Sequence, residues 1–237
     1  MSETSGWVDF WNRDTSIYVN PRHKMLHYRQ VAKDIAALVP GPDAVVLDHG
    51  SGEATAADLV AAKCARLYLC DAAPNTRAKI AAQFANDPRI IPVAPEDLSA
   101  LADDSIDLIV ANSVLQYLDD ATFDDSLLTW KDKLKPEGRL ILADVIPPDV
   151  SPVTDAMALL TFAREGGFLI AAGVGLVRTA LSDYRKLRGE LGLSTHTEAE
   201  ILARLREHGF TGRRMARNIG HNPARMSFEA RKDDSGQ

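Results

Sequence analysis

The stretch Val45-Val46-Leu47-Asp48-His49-Gly50-Ser51-Gly52-Glu53-Ala54 runs an apolar segment into a carboxylate and then into two glycines on alternate positions. Glycines placed there let a ligand approach the main chain, and an acid beside them can face that ligand. After a second apolar run, Leu69-Cys70-Asp71-Ala72-Ala73-Pro74 sets another acid about 20 residues beyond the glycines, where a carboxylate can accept from both hydroxyls of a ribose. The competing role for Asp71 is to cap a helix opening near Pro74. An acidic turn, Val93-Ala94-Pro95-Glu96-Asp97-Leu98, and a polar one, Asn112-Ser113, follow two further apolar runs. His23, His27, Tyr117, Asp144 and His221 are candidate general bases, each open to a purely structural role. No metal site is expected.

These turns need rigid elements beneath them. Val45–Leu47, Leu67–Cys70, Ile90–Val93, Leu108–Ala111 and Leu140–Ala143 are continuously apolar, as parallel strands are when helices cover both faces of a sheet. Ala54–Ala65, Pro74–Phe84 and Asp124–Leu134 carry helix formers, with Pro74 suited to a first turn and Pro136 with Gly138 to a stop. The alternation predicts a doubly wound α/β fold, which binds ligands at the carboxyl ends of its strands. The expected layout is one domain: lid or flanking helices over 1–40, a ligand-binding core over 41–147, a helical insertion over 148–195, a final helix and hairpin over 196–232, and a tail over 233–237. Within it, Thr154–Leu181 reads as an apolar helical stretch, Glu198–Gly209 as a helix, and Arg213–Ile219 with Arg225–Ala230 as strands joined around His221-Asn222-Pro223.

A dinucleotide loop places its third small residue three positions after the second glycine, but Thr55 stands there. The sequence from Asp48 to Gly52 instead resembles the first motif of class I S-adenosylmethionine-dependent methyltransferases, with Ala54 where that family usually has a third glycine. Asp71, the Pro95-Glu96-Asp97 turn, Ser105–Leu118 and Leu134–Asp144 resemble the family's later segments in the same order. The resemblance implies a Rossmann-like, seven-stranded, mostly parallel sheet closed by an antiparallel terminal hairpin. It also implies S-adenosylmethionine as cofactor and S-adenosylhomocysteine as product. By the same resemblance, Asp48, Gly50, Gly52 and the Asn112-Ser113 turn surround the methionine half, with Tyr18 from the lid brought toward it, while Ser51 belongs to the cofactor-binding turn and His49 packs under the cofactor. Asp71, Ala72, Pro95 and either Glu96 or Asp97 hold the adenosine half.

The sulfonium of such a cofactor already activates its methyl group, so the protein's main task is to align a nucleophile and exclude water. A net charge of −6 argues against nucleic acid as the acceptor, as does an Asn112-Ser113-Val114-Leu115 turn in place of the Asn-Pro-Pro-aromatic turn of amino-methylating enzymes. A small-molecule acceptor, apolar or lipid-like, is expected instead, with specificity residing in the Met157–Leu181 segment. That segment also invites a homodimer contact, or a weak membrane-surface contact through Arg178, Arg185, Lys186 and Arg188. No stretch is apolar enough to span a bilayer, and two cysteines with no apolar leader suggest a cytoplasmic setting. Two rivals remain: a nicotinamide-dependent oxidoreductase, and a catalytically silent protein that binds S-adenosylmethionine.

Overall fold

Two helices precede the first strand in the computed structural model, which describes residues 3–12, 18–180 and 192–233. They are α1, Glu3–Trp11, and α2, Pro21–Ala36. Asn20 caps α2 by accepting the His23 N–H at 2.8 Å, and Pro21 takes a first-turn position that needs no donor. The chain then alternates: β1 Val45–His49, α3 Asp58–Ala61, β2 Arg66–Cys70, α4 Pro74–Gln83, β3 Ile90–Val93, β4 Ile106–Asn112, α5 Asp120–Lys133 and β5 Leu134–Val145. There follow α6 Pro152–Gly166, α7 Leu169–Ala180, α8 Glu198–Glu207, β6 Phe210–Arg214 and β7 Met226–Lys232.

All seven strands form one sheet in the order β3-β2-β1-β4-β5-β7-β6. β1 to β5 are parallel, while β7 runs antiparallel to both β5 and β6. Each central strand feeds two cores. Leu47, Ile109, Leu140 and Leu142 pack with Phe123, Trp130 and Leu205 on one face. Val46, Leu108, Val110 and Ile141 pack with Ile35, Val60 and Ile80 on the other. Burial of both faces is the physical reason these strands are apolar without alternation. The reversal of strand order between β1 and β4 opens the crevice in which such sheets hold ligands.

Several boundaries differ from expectation. The helix expected over Ala54–Ala65 contracts to α3, because Gly50, Gly52 and Ala54 all have positive φ and the loop uses those residues to turn. α5 begins earlier than Asp124, at Asp120, where Asp119 accepts the Thr122 N–H at 2.8 Å. α5 stops at Lys133, just ahead of Pro136 and Gly138, which themselves lie within β5 beginning at Leu134. The Thr154–Leu181 helix is two helices, broken at Gly167 in the left-handed conformation (φ 72°); Leu181 lies outside the described residues. The terminal hairpin is displaced: its strands pair from Phe210↔Lys232 to Arg214↔Phe228, so residues 215–225 form a long connection. Asn218 and Asn222 draw that connection away from the ladder, since Asn218 Nδ2 donates to the Asn222 carbonyl at 3.1 Å and Asn222 Oδ1 accepts the Ala224 N–H at 3.0 Å. Of the expected tail only Asp233 is described, and its N–H donates to the Gly209 carbonyl at 2.9 Å. No helix among the described residues is long and apolar enough to cross a membrane.

Candidate functional site

The turn after β1 is held from below by the protein itself. The N–H groups of Gly50 and Ser51 both donate to the Cys70 carbonyl, at 2.7 and 3.0 Å. The Gly52 N–H donates to Asp71 Oδ2 at 3.0 Å, and the Glu53 N–H to the Tyr28 hydroxyl at 3.0 Å. Four successive amides are therefore satisfied internally, which leaves none of them to cradle a pyrophosphate. The turn also has no room for side chains. A Cβ at Gly50 (φ +73°) would stand 2.1 Å from Val114 Cγ2, and one at Gly52 (φ +56°) 2.7 Å from Tyr28 Oη.

Asp71 satisfies both readings of its sequence position in part. Its Oδ1 accepts the Ala73 N–H at 2.8 Å, a local turn bond, while Ala73 rather than Asp71 is the residue that opens α4. Each oxygen keeps acceptor capacity for a ligand hydroxyl. Burial raises the Asp71 carboxyl above its usual value against the pull of the Ala73 and Gly52 amides and Arg77. Burial also pushes Asp48 up to about 7, with the neighbouring Asp71 charge adding to the shift. A positively charged ligand group would relieve both carboxylates, and the vicinal hydroxyls of a ribose suit Asp71. Donor set and cradle therefore fit a cationic nucleoside such as S-adenosylmethionine better than a dinucleotide.

These residues line one cavity of about 1910 Å³ that continues from the strand ends to the underside of α6 and α7. That volume exceeds the roughly 300–1,000 Å³ of an ordinary single-ligand pocket, so there is space for two ligands. On the far side stand three histidines. His23 stacks on Phe168 with centroids 5.1 Å apart, and its Nδ1 accepts the Val19 N–H at 3.3 Å. His221 stacks on Phe162 at 4.5 Å and meets His27 edge-on at 6.1 Å. Burial, followed by the neighbouring His221, pulls His23 down to about 4. The same two causes, with His23 adding a third, pull His27 down to about 3. Burial and then Arg225 lower His221, while Asp155 opposes them. The trio is neutral at pH 7, and no ring nitrogen of His27 or His221 makes a hydrogen bond among the described residues.

The lid over this half is tied to the β6–β7 connection. Arg225 Nη2 donates to Asp155 Oδ1 and Oδ2 on α6 at 2.9 and 2.8 Å, and Asn222 Nδ2 donates to Asp155 Oδ1 at 2.9 Å. Asp144 links the lid's anchor back to β4: its Oδ2 accepts from Ser113 Oγ at 2.7 Å and its N–H donates to Asn218 Oδ1 at 3.0 Å. Burial raises the Asp144 carboxyl although Arg225, Ser113 and Asn218 pull it down.

The cavity brings together Tyr18, His23, His27, Asp48, His49, Gly50, Ser51, Gly52, Asp71, Ala72, Pro95, Glu96, Asn112, Ser113, Tyr117, Asp144 and His221. Asp97 is the exception among the sequence-derived residues. It lies outside the lining and its Oδ2 accepts the Ala94 N–H at 3.2 Å, which caps the short 3₁₀ turn of residues 95–100, so Glu96 alone of that pair faces the cavity. His49 packs edge-on against Trp130 at 5.1 Å and accepts the indole N–H at 3.3 Å, as a residue beneath the site would. Tyr117 sits among Trp7 and Trp11 of α1, at 4.7 and 5.7 Å. α1 is fastened further by Asn75, which donates its N–H to Asn12 Oδ1 and its Nδ2 to the Asn12 carbonyl. Sequence reasoning missed Asp155 on α6, and Asn218, Asn222 and Arg225, whose only signal was a run of polar residues before the last strand. Arg185, Lys186 and Arg188 lie outside the described residues.

Comparison with known proteins agrees with this geometry. Residues 47–142 match the family model described as a methyltransferase domain. No curated protein sequence matches the chain. Among solved structures, the magnesium protoporphyrin IX methyltransferase of Synechocystis PCC 6803 with bound S-adenosylmethionine is 17% identical at a TM-score of 0.61, with 98% of each chain covered. The 1,6-didemethyltoxoflavin-N1-methyltransferase of Burkholderia thailandensis is 20% identical at a TM-score of 0.53, covering 87% of this chain and 78% of that one. A putative methyltransferase of Haloferax volcanii, solved in complex with the Trm112 methyltransferase activator, is 13% identical at a TM-score of 0.58, covering 87% and 90%. At these identities the structures share a fold, and the family match places a methyltransferase domain over residues 47–142, with S-adenosylmethionine the ligand bound in the similar Synechocystis structure.

Proposed function

We propose that the chain transfers a methyl group from S-adenosylmethionine to a small, flat, largely apolar acceptor that enters beneath α6 and α7. The carrying observation is the division of the cavity: acids and internally satisfied amides at the strand ends, neutral imidazoles and aromatic rings on the far side. When bound, the cofactor supplies an electrophilic methyl group on sulfur. Asp71 would accept from the ribose hydroxyls, Glu96 would hold the adenine side, and Asp48 would face the positive end. Trp7, Trp11 and Tyr117 close α1 over the site and exclude water, which leaves rate enhancement mainly to alignment.

His221 takes the acceptor's proton in this reading. Its ring nitrogens make no hydrogen bond among the described residues, it is neutral and in the cavity, and Asp155 favours the imidazolium that results against burial and Arg225. His23 is less suited because its Nδ1 is already engaged by Val19. Asp144 is less suited too, since Ser113 and Asn218 occupy its oxygens. A nicotinamide cofactor is disfavoured by the occupied amides of the glycine turn.

Calorimetric titration with S-adenosylmethionine, S-adenosylhomocysteine, NAD and NADH tests the cofactor half directly. Selective binding of the adenosyl compounds, weakened about tenfold or more in Asp71→Ala by loss of a buried charged acceptor, is the expected result. Saturable NADH binding without adenosyl binding would overturn the reading. Labelled-methyl transfer to a panel of hydroxylated aromatic compounds then tests the acceptor half, with His221→Asn lowering turnover while cofactor affinity stays the same.

A further inference from the structure

The outward face of α7 is unlike the rest of the surface. Leu169, Ile170 and Val174 are 46%, 87% and 50% exposed, with Gly173 exposed between them, so the spacing of one and four residues makes a continuous apolar strip. The same three side chains also line the cavity, so the strip is its rim. α7 has no acidic residue along its length. It is held close to the body at Gly175, where a Cβ would stand 2.2 Å from Val19 Cγ1, so the strip is presented by a docked helix.

Charge indicates what faces this strip. Arg164 stands in the last turn of α6, next to the exposed Glu165, and Arg22 reaches the same helix end, its Nε donating to the Gly166 carbonyl at 2.5 Å. Both arginines are exposed and neither pairs with a carboxylate among the described residues. Two exposed guanidinium groups that form no ion pair among the described residues, beside exposed aliphatic side chains, match anionic headgroups above acyl chains.

We propose that the α7 face, with Arg22 and Arg164, docks on an anionic lipid bilayer surface, so that the cavity mouth opens onto the membrane. The docking is independent of the transfer reaction, and it would deliver a lipophilic acceptor straight from the bilayer into the half of the cavity beneath α6 and α7. Insertion is shallow, through three side chains on one helix, and the electrostatic share weakens with salt.

The full chain is floated with vesicles of phosphatidylcholine alone and of phosphatidylcholine mixed with phosphatidylglycerol. The expected result is binding to the mixed vesicles above that to phosphatidylcholine, reduced about tenfold or more in Ile170→Asp/Val174→Asp and reduced by salt. Arg22→Gln/Arg164→Gln should lose the preference for phosphatidylglycerol. Calorimetry with S-adenosylmethionine on the same variants reports whether the fold and the cofactor half survive, separately from docking. Absence of binding to the mixed vesicles overturns the proposal, as does binding that the Ile170/Val174 variant retains. A solution dimer that this variant dissolves, seen by light scattering, would assign the face to a second copy instead.

Discussion

At the scale of single residues, Asp48 has the most informative titration. Its carboxyl, ordinarily at 3.8, lies at about 7 in the folded protein because burial and Asp71 disfavour the charge. Between those values the folded chain holds a proton that the unfolded chain has released. The stability Asp48 contributes is therefore fully present below the lower value and lost as pH rises through the higher one. Denaturant titrations of ligand-free protein should show Asp48→Asn losing less stability than wild type between about pH 5 and about pH 8. A cation beside Asp48 reverses the demand. Preference for S-adenosylmethionine over the uncharged-sulfur product should grow as pH rises through 7 and become flat in Asp48→Asn, as read by calorimetry at each pH. The carboxylate at this position was plain in the sequence. Its raised affinity for a proton was not, since that depends on the burial the fold imposes and then on Asp71 arriving from the next strand.

Among elements, the glycine turn and the lid each hang on one identifiable contact. Gly50→Ala should cost about 2–5 kcal/mol in a denaturant titration, combining a left-handed backbone with overpacking against Val114. Val114→Ala in that background removes the clashing methyl and should return about 1–3 kcal/mol, leaving the backbone term. The tie of α6 to the terminal connection predicts a local effect. Asp155→Asn breaks the paired bonds from Arg225, and hydrogen exchange of residues 152–166 should quicken about tenfold or more while β1 to β5 keep their protection. The strand runs and α4 were legible because hydrophobic continuity and Pro74 are local signals. The two-helix break at Gly167 and the displaced hairpin were not, because both follow from contacts made across the molecule: Arg22 reaching Gly166, and Asn218 bridging Asp144 to Ser227.

For the whole molecule, ligand binding and folding are one equilibrium. A hundredfold excess of S-adenosylmethionine over its dissociation constant should add about 2.7 kcal/mol, a rise of about 5–11 °C in Tm for a chain of this size. NAD at the same concentration should leave Tm unchanged. The cofactor half of the site was legible in sequence order because it is gathered from successive strand ends of one sheet, as Asp48, Asp71 and Asn112 show. The acceptor half is assembled from α2, α6 and the β6–β7 connection, so His23, His27 and His221 stood in the sequence without any sign that they meet. The strand order carries a consequence for biosynthesis. β7 lies between β5 and β6, so the outer edge of β5, with Leu140, Ile141 and Leu142 along it, has no partner until Met226–Lys232 have left the ribosome. From the emergence of β5 to that of β7 the nascent chain therefore presents an open, apolar strand edge able to pair with another chain. A premature stop before Met226 would make that temporary hazard permanent.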